Sequence, residues 1–278
     1  MSLRASFLFS VISLAVLPAI ACDMDLDHRG ETVADYIETV GPCLYATPLG
    51  YEFDQDMEQD FVRRVNQARL REGLPALYYR VHLRATSRFH SLDMAVNDFF
   101  GHVSPNGREP HNRVSAFDRR ALVSFSAENV AMIEIVNGRW NLDRDAVERL
   151  HKNLMDSPGH RANILSEEAT HIAVGVVKTD TGVWVTQTFL ALSGSLAEDV
   201  PVRMYTGQRV NQAPVLDGWS FQGFEAVRKD GNYLSIRQGI PQGLSGDIGL
   251  VAYGRKPGDK PLSFYTIHLP GPAITVGG

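Results

Sequence analysis

The stretch Met155-Asp156-Ser157-Pro158-Gly159-His160-Arg161-Ala162-Asn163-Ile164-Leu165 decides the local fold. Pro158 cannot continue a helix, because its ring blocks the preceding turn and it lacks a backbone N–H. Gly159 can adopt backbone angles that are closed to other residues. We therefore expect an apolar helix to end near Met155 and the chain to turn sharply at His160. A histidine on a rigid turn suits a binding site; the alternative is a structural role in which it caps the helix.

A second histidine, His102, lies in a similar setting. It follows Phe99-Phe100-Gly101, which ends a predicted helix, and it precedes the turn-forming segment Ser104-Pro105-Asn106-Gly107. Two histidines presented in this way favour one shared site. Glu128 lies among apolar residues and needs a partner, because burying an unpaired charge is costly. A histidine is a natural partner for this carboxylate.

Periodic apolar residues predict the elements around these segments. The helices are expected at about 54–71, 81–99 and 143–155. The strands are expected at 121–125, 127–136, 170–177 and 182–190. The last two strands are joined by a short turn, so the sheet is at least partly antiparallel. Asn66 and Arg69 can bond loop backbone from the first helix, and His90 is expected to be a buried, hydrogen-bonded residue of the second.

The composition is that of an ordinary globular protein. The chain has 278 residues, which allows one large domain or two modest ones. Its formal net charge of -5 and pI near 6.0 argue against nucleic acid as a partner. No basic run and no fixed-period repeat is visible in the sequence.

The first 21 residues have the features of a signal peptide. Arg4 provides a positive charge, residues 7–17 form a short apolar run, and Ala19-Ile20-Ala21 suits signal peptidase. We expect cleavage after Ala21 and export to the periplasm or the extracellular space. No other segment is long and apolar enough to predict a membrane span in the mature chain.

The predicted cleavage places Cys22 at the mature N-terminus, at the start of an N-terminal arm over residues 22–53. Cys43 is the only other cysteine. In an oxidising compartment the two can form a disulfide that fixes the arm. Alternatively, Cys22 is a lipid anchor, because Ala19-Ile20-Ala21-Cys22 loosely resembles a lipobox. The lipobox usually has Leu where this sequence has Ala19.

The C-terminal region has a different character. Residues 192–200 are a predicted linker, and residues 201–278 contain five short alternating segments separated by Gly, Pro, Asn and Asp. These segments predict a small all-β domain, either a sandwich or a partial barrel. Its expected role is a binding module for a cell-envelope component or a protein partner. It could instead pack as an extension of the first domain.

Taken together, the motifs between residues 54 and 191 resemble the CAP superfamily, which includes cysteine-rich secretory, antigen 5 and pathogenesis-related proteins. The resemblance is to its bacterial SCP-like extracellular branch. Five pieces occur in family order. They are Asn66-Gln67-Ala68-Arg69, Phe99 through Pro105, Ala127-Glu128-Asn129-Val130-Ala131, Met155 through Leu165, and Trp184 through Phe189.

The resemblance implies an α+β fold, a three-layer α-β-α sandwich over residues 54–191. It also implies a cleft formed by two histidines and up to two glutamates. By motif position, His102, Glu128 and His160 match three of these residues. The fourth has no secure match, and Glu148 is a candidate stand-in. The family's tryptophan and glycine near the motifs are replaced here by Leu154 and Ala127, so we expect a three-residue cleft.

Two kinds of chemistry suit such a cleft. His102, His160 and Glu128 form a set that a divalent cation, zinc above all, accepts with one position open. A metal-assisted, peptidase-like hydrolase is one function that follows. The other is a metal-free cleft that binds a lipid, sterol or peptide ligand by hydrogen bonds beside an apolar flank. Neither cysteine lies in the matching region, and Ser104 and Ser157 belong to Ser-Pro turns, so we favour a binding or signalling module over an enzyme.

Overall fold

The computed structural model describes residues 22–24, 30–134, 142–228 and 230–277, without the side chains of 142–145. The predicted signal peptide lies outside the described residues. The helices are α1 (Val33–Val40), α2 (Gln55–Arg71), α3 (Val81–Val96), α4 (Pro110–Phe117), α5 (Leu142–Asp156) and α6 (Pro158–Ile164). The strands are β1 (Glu52–Phe53), β2 (Tyr78–Tyr79), β3 (Ala121–Glu134), β4 (His171–Lys178), β5 (Gly182–Leu196), β6 (Arg203–Tyr205), β7 (Pro214–Leu216), β8 (Ser220–Val227), β9 (Tyr233–Ser235), β10 (Gly246–Pro257) and β11 (Phe264–Gly277).

The first sheet is the middle layer of a three-layer sandwich. Its strands follow the order β1-β4-β5-β3, with β2 beside β4 and β7 beside β5. Successive side chains of β4 point to opposite faces. Ile172 and Val174 pack in one core with α2 and α5, whereas Ala173 packs with Leu83 of α3 on the other face. The predicted α-β-α sandwich is therefore confirmed.

The predicted helices α2 and α3 agree with the structure except at one end. Asp54 caps α2 by accepting a hydrogen bond from Met57 N at 2.9 Å. Helix α3 ends at Val96, three residues earlier than predicted, and Asn97 is its C-cap. Helix α3 lies so close to β4 that a side chain at Gly175 would come within 2.2 Å of the backbone of Arg88. This approach explains why glycine occupies that position.

The expectation of a sharp turn at His160 was wrong. Helix α5 ends at Asp156, and after Ser157 a new short helix, α6, begins at Pro158. Proline suits this first helical position, because its missing N–H has no partner there in any helix. His160 is therefore held on a helix.

The N-terminal arm packs on the outer face of α3. Tyr36 and Val40 of α1 are buried in one core with Phe89 and Leu92 of α3. Cys22 and Cys43 form a disulfide, as one of the two alternatives predicted. A thioether lipid on Cys22 would use the same sulfur, so the disulfide and the lipid anchor exclude each other.

The C-terminal region forms a second sheet, which confirms the predicted all-β region. Its order is β6-β11-β10-β8-β9, and only the β6–β11 pair is parallel. The predicted linker differs from the structure, because β5 continues to Leu196 and Val200 is buried. In addition, β7 pairs with the end of β5 and so joins the first sheet. In the described ranges no helix is long and apolar enough to cross a membrane.

Candidate functional site

A buried carboxylate, Glu128, is the centre of the candidate site. It lies on β3 and is 6% exposed. Arg113 of α4 donates from one guanidinium nitrogen, Nη2, to Oε2 at 2.8 Å and to Oε1 at 3.0 Å. The same nitrogen donates to the backbone oxygen of His102 at 2.9 Å. His102 Nδ1 lies 3.0 Å from Glu128 Oε1. The structure therefore brings two of the three predicted site residues into direct contact.

The charge of Glu128 determines which ring nitrogen of His102 carries the proton. Burial alone would raise the pKa of Glu128, but the hydrogen bond from His102 and the charge of Arg113 outweigh it and hold the pKa below its usual range. The ionised carboxylate can only accept hydrogen bonds, so His102 Nδ1 must donate. The His102 side chain is 46% exposed, and Nε2 is the ring nitrogen left to meet a ligand.

His160 reaches the same strand through α6. Its backbone oxygen accepts a hydrogen bond from Asn129 Nδ2 at 3.1 Å. Asn163 Nδ2, one turn along the helix, donates to Glu128 O at 3.2 Å and to Asn129 Oδ1 at 2.9 Å. Partial burial, and then the charge of His102, lower the pKa of His160. The lowered pKa favours the neutral form of His160. Among the described residues no hydrogen bond or ion pair joins its ring to His102 or Glu128, so the contact to β3 is made by its backbone.

His90 lies behind the site and is fully buried, as predicted. Its Nε2 donates to Gly101 O at 2.8 Å, at the start of the loop that carries His102. The same nitrogen is 3.7 Å from Glu128 Oε1. Burial and the nearby charge of Arg113 lower the pKa of His90 to about 3. This histidine therefore remains neutral and positions the loop.

The burial of His90 makes stability depend on pH. Its pKa falls from the ordinary 6.5 to about 3 in the native state, so below pH 6.5 the unfolded chain binds a proton that the native state does not. The stabilisation is complete above that pH and is lost as the pH falls towards 3. Protonation of this residue in the unfolded chain should therefore lower the free energy of unfolding by about 2 kcal/mol as the pH falls from 7 to 5.

Urea titrations at these two pH values test the prediction by comparing the parent with His90→Gln. The glutamine keeps a donor for Gly101 O but does not titrate. When the pH falls from 7 to 5, the His90→Gln variant should lose about 2 kcal/mol less stability than the parent does. An identical loss in both proteins would show that His90 is protonated in the native state.

Arg113, which holds Glu128 and the His102 loop together, was not among the predicted site residues. It lies on α4, which was not predicted. The available signal was Pro110 at the first helical position, with Glu109 and Asn112 forming a capping box. The candidate stand-in Glu148 does not join the site contacts. Its side chain is 75% exposed, and its ion-pair partner is Arg64 of α2 at 3.7 Å.

The donor set does not fit a divalent cation well. Across the described residues, no three His, Cys, Asp or Glu side chains are grouped as metal ligands. Both oxygens of Glu128 accept hydrogen bonds from Arg113. The guanidinium charge offsets the negative charge that would attract a metal ion. The zinc site predicted from the sequence gains no support from this arrangement.

The loop that carries His102 exposes apolar surface. Its serine, Ser104, has a hydroxyl that is already hydrogen-bonded. Phe100 and Val103 are 54% and 52% exposed on either side of His102 in the chain. Ser104 is buried, accepts a hydrogen bond from Arg113 Nη1 at 3.3 Å and donates to the carboxylate of Asp93. The loop thus offers a ligand an imidazole flanked by apolar side chains.

Comparison with known proteins places these residues in one family. Residues 62–189, which include His102, Glu128 and His160, match the profile of the family described as CAP: Cysteine-rich secretory protein family. Over 132 residues the chain is 31% identical to YkwD, an uncharacterized protein of Bacillus subtilis (strain 168). The match covers 47% of this chain and 46% of YkwD. The chain therefore spans less than half the length of this curated relative.

Similar chains also occur among solved structures. An extracellular protein containing a SCP domain from Bacillus anthracis str. Ames is 27% identical, with a TM-score of 0.41, covering 49% of this chain and 41% of that one. An outer surface protein from Borrelia burgdorferi is 14% identical, also with a TM-score of 0.41, covering 51% of this chain and 98% of that one. Residues 62–189 of this chain therefore match the CAP family of cysteine-rich secretory proteins.

Proposed function

We propose that this chain is an exported binding module whose His102–His160 surface holds a short peptide without a metal ion. The observation that carries the proposal is the environment of Glu128. Its charge is balanced by buried Arg113, and its hydrogen bond engages His102 Nδ1, which leaves Nε2 for a ligand. The carboxylate is thus a support for His102, which makes the contact.

The charge and polarity of the surface favour a peptide over an anionic lipid head group. Glu128 and Arg113 balance each other, and the lowered pKa of His160 favours a neutral ring. The fixed charges of Glu128 and Arg113 therefore cancel and give an anion little attraction. A neutral imidazole accepts and donates hydrogen bonds, which suits peptide amides. Phe100 and Val103 provide exposed apolar surface for a peptide side chain.

Export is supported by the signal-peptide features of residues 1–21 and by the Cys22–Cys43 disulfide. Disulfides persist in oxidising compartments such as the periplasm and the extracellular space. We therefore place the mature protein, beginning at Cys22, outside the cytoplasm. Mass spectrometry of the mature N-terminus tests this placement, because an intact leader would contradict export. A lipid on Cys22 would leave the protein exported but would rule out the Cys22–Cys43 disulfide.

The proposed function predicts binding that is independent of metal ions. In NMR titrations with N-acetyl dipeptide amides that carry one apolar side chain, we expect the ring signals of His102 and His160 to shift and saturate in the presence of EDTA. His102→Ala and His160→Ala should each weaken binding about tenfold, the usual effect of one lost hydrogen bond. The control His268→Ala, on the second sheet, should bind as the parent does.

Other outcomes of this titration would contradict the proposal in different ways. Loss of peptide binding in EDTA, or ring shifts on adding stoichiometric ZnCl2, would support the metal site instead. Ring shifts with phosphatidylglycerol vesicles but with none of the dipeptides would assign a lipid head group. Equal binding by the parent and both alanine variants would remove this surface from the function.

A further inference from the structure

A cavity of about 770 Å³ lies where the two sheets meet. Three parts of the chain contribute its walls. They are the N-terminal arm at Gly30–Val33, the segment from Asn106 to Ser126, and the second sheet. None of His90, His102 and His160 lines it. Its volume is in the range of sites that enclose small organic ligands.

The two sheets are held together firmly beside this cavity. Arg119 is 9% exposed, and its guanidinium donates to the backbone oxygens of Val200 at 3.0 Å, Pro201 at 3.1 Å and Ala273 at 2.7 Å. At Gly271 of β11, an added side chain would come within 3.0 Å of Leu122 on β3. The cavity is thus bounded by tightly packed elements, and a ligand would find it largely preformed.

The wall of the cavity is mostly apolar. The larger apolar side chains come from the arm, α4, β3, β8 and β10: Val33, Val114, Val123, Phe125, Val227 and Leu250. Strand β3 is the edge of the first sheet, and the pairing of β10 with β11 is irregular between Gly249 and Val251. The cavity lies between the edge strand β3 and the irregular part of the β10–β11 pair. Its apolar wall suits a hydrocarbon chain.

The polar groups at the cavity favour an anionic end on that chain. Two of its carboxylates are engaged. Asp118 accepts from Arg80 Nη2 at 2.8 Å, and Asp247 accepts from Val33 N at 3.0 Å and from Thr275. In contrast, Arg228 is exposed, and its guanidinium forms no hydrogen bond or close ion pair with any other described residue. Hydrogen bonds from Asn232 lower the pKa of the neighbouring Asp230, and the charge of Arg228 helps to lower it, but no described residue holds the guanidinium in a fixed contact. Tyr233 beside it is 56% exposed and has a hydroxyl to donate.

We propose that this cavity is a second ligand site, which binds an amphipathic carboxylate. The hydrocarbon chain lies against the apolar wall, and Arg228 and Tyr233 donate hydrogen bonds to the carboxylate at the mouth. The site lies between the CAP domain and the C-terminal sheet. It is separate from the histidine surface and does not depend on the function proposed for that surface.

Calorimetric titration of the whole mature protein with octanoate, decanoate and dodecanoate, below their micelle concentrations, tests the proposal. Each pair of added methylene groups should tighten binding about tenfold until the cavity is filled. Dodecyltrimethylammonium, with the same chain and the opposite charge, should bind at least about tenfold more weakly than dodecanoate. Equal affinity for the three carboxylates, no binding, or tight binding of the cation would overturn the proposal.

Two variants locate the site. Ser126→Trp places a bulky ring in the cavity from an exposed position of β3 and should abolish dodecanoate binding. Arg228→Ala should weaken it about tenfold. The controls are Ser245→Trp and Arg209→Ala, both exposed and outside the cavity. Unchanged affinity in Ser126→Trp would place the ligand elsewhere. His102→Ala should bind dodecanoate normally, so a failure of the peptide proposal would leave this result intact.

Discussion

Replacing Arg113 by methionine is expected to lower the free energy of unfolding by about 3–5 kcal/mol, because the change leaves the buried Glu128 charge without its main partner. Arg113 is fully buried and touches both oxygens of Glu128. It also donates to the backbone oxygens of His102 and Arg108, each at 2.9 Å. Urea denaturation at neutral pH measures the change.

A double variant distinguishes loss of the ion pair from simple loss of packing. Glu128→Gln on its own should also be costly, because it leaves the Arg113 charge buried and unbalanced. The pair Arg113→Met with Glu128→Gln should be more stable than the sum of the two single losses predicts, by about 2 kcal/mol or more. The matched control is the exposed pair Lys152–Asp156, where Lys152→Met should cost less than about 1 kcal/mol. Additive losses at Arg113 and Glu128 would show that the two side chains do not act as a pair.

Replacing Arg69 by methionine should cost about 3 kcal/mol or more. Arg69 is fully buried, and its guanidinium donates to Pro75 O at 2.9 Å, Ile164 O at 2.9 Å and Ser166 O at 2.8 Å. Methionine fills much of the same volume but leaves these carbonyl groups without a donor, at about 1–3 kcal/mol for each that water cannot reach. Denaturation of the parent and the variant measures the total.

The same variant should loosen the helix that carries His160. Ile164 is the last residue of α6, so Arg69 fixes the end of that helix to α2. We expect faster amide hydrogen exchange in residues 160–165 of Arg69→Met. The control is Arg71→Met, at an exposed position of α2, which should change neither stability nor exchange. Unchanged exchange in Arg69→Met would mean that other contacts are sufficient to hold α6.

Periodicity predicted much of the fold from the sequence. The apolar stripes of α2 and α5, the β4–β5 hairpin and the short C-terminal strands are local patterns that burial produces directly. The expected role of Asn66 and Arg69 is also confirmed. Asn66 bonds both backbone groups of Leu77, and Arg69 bonds the loops that follow α2 and α6.

The errors arose where local chemistry has two outcomes. A Ser-Pro-Gly segment can turn the chain or start a helix. In this fold it starts helix α6. Helix α4 is eight residues long, too short for a clear periodic signal, and Arg113 was missed with it. The junction cavity depends on how distant strands meet, which no local pattern encodes.

The tautomer of His102 tests the central claim most directly. Two-dimensional ¹H–¹⁵N NMR of the ring, at neutral pH and with EDTA present, shows which nitrogen carries the proton. We expect Nδ1 to be protonated, with Nε2 free to bind, and we expect Glu128→Gln to abolish this preference. Adding stoichiometric ZnCl2 should leave the spectrum unchanged. A proton on Nε2 with Nδ1 bare, or a ring shift on adding zinc, would contradict the supporting role that we assign to Glu128.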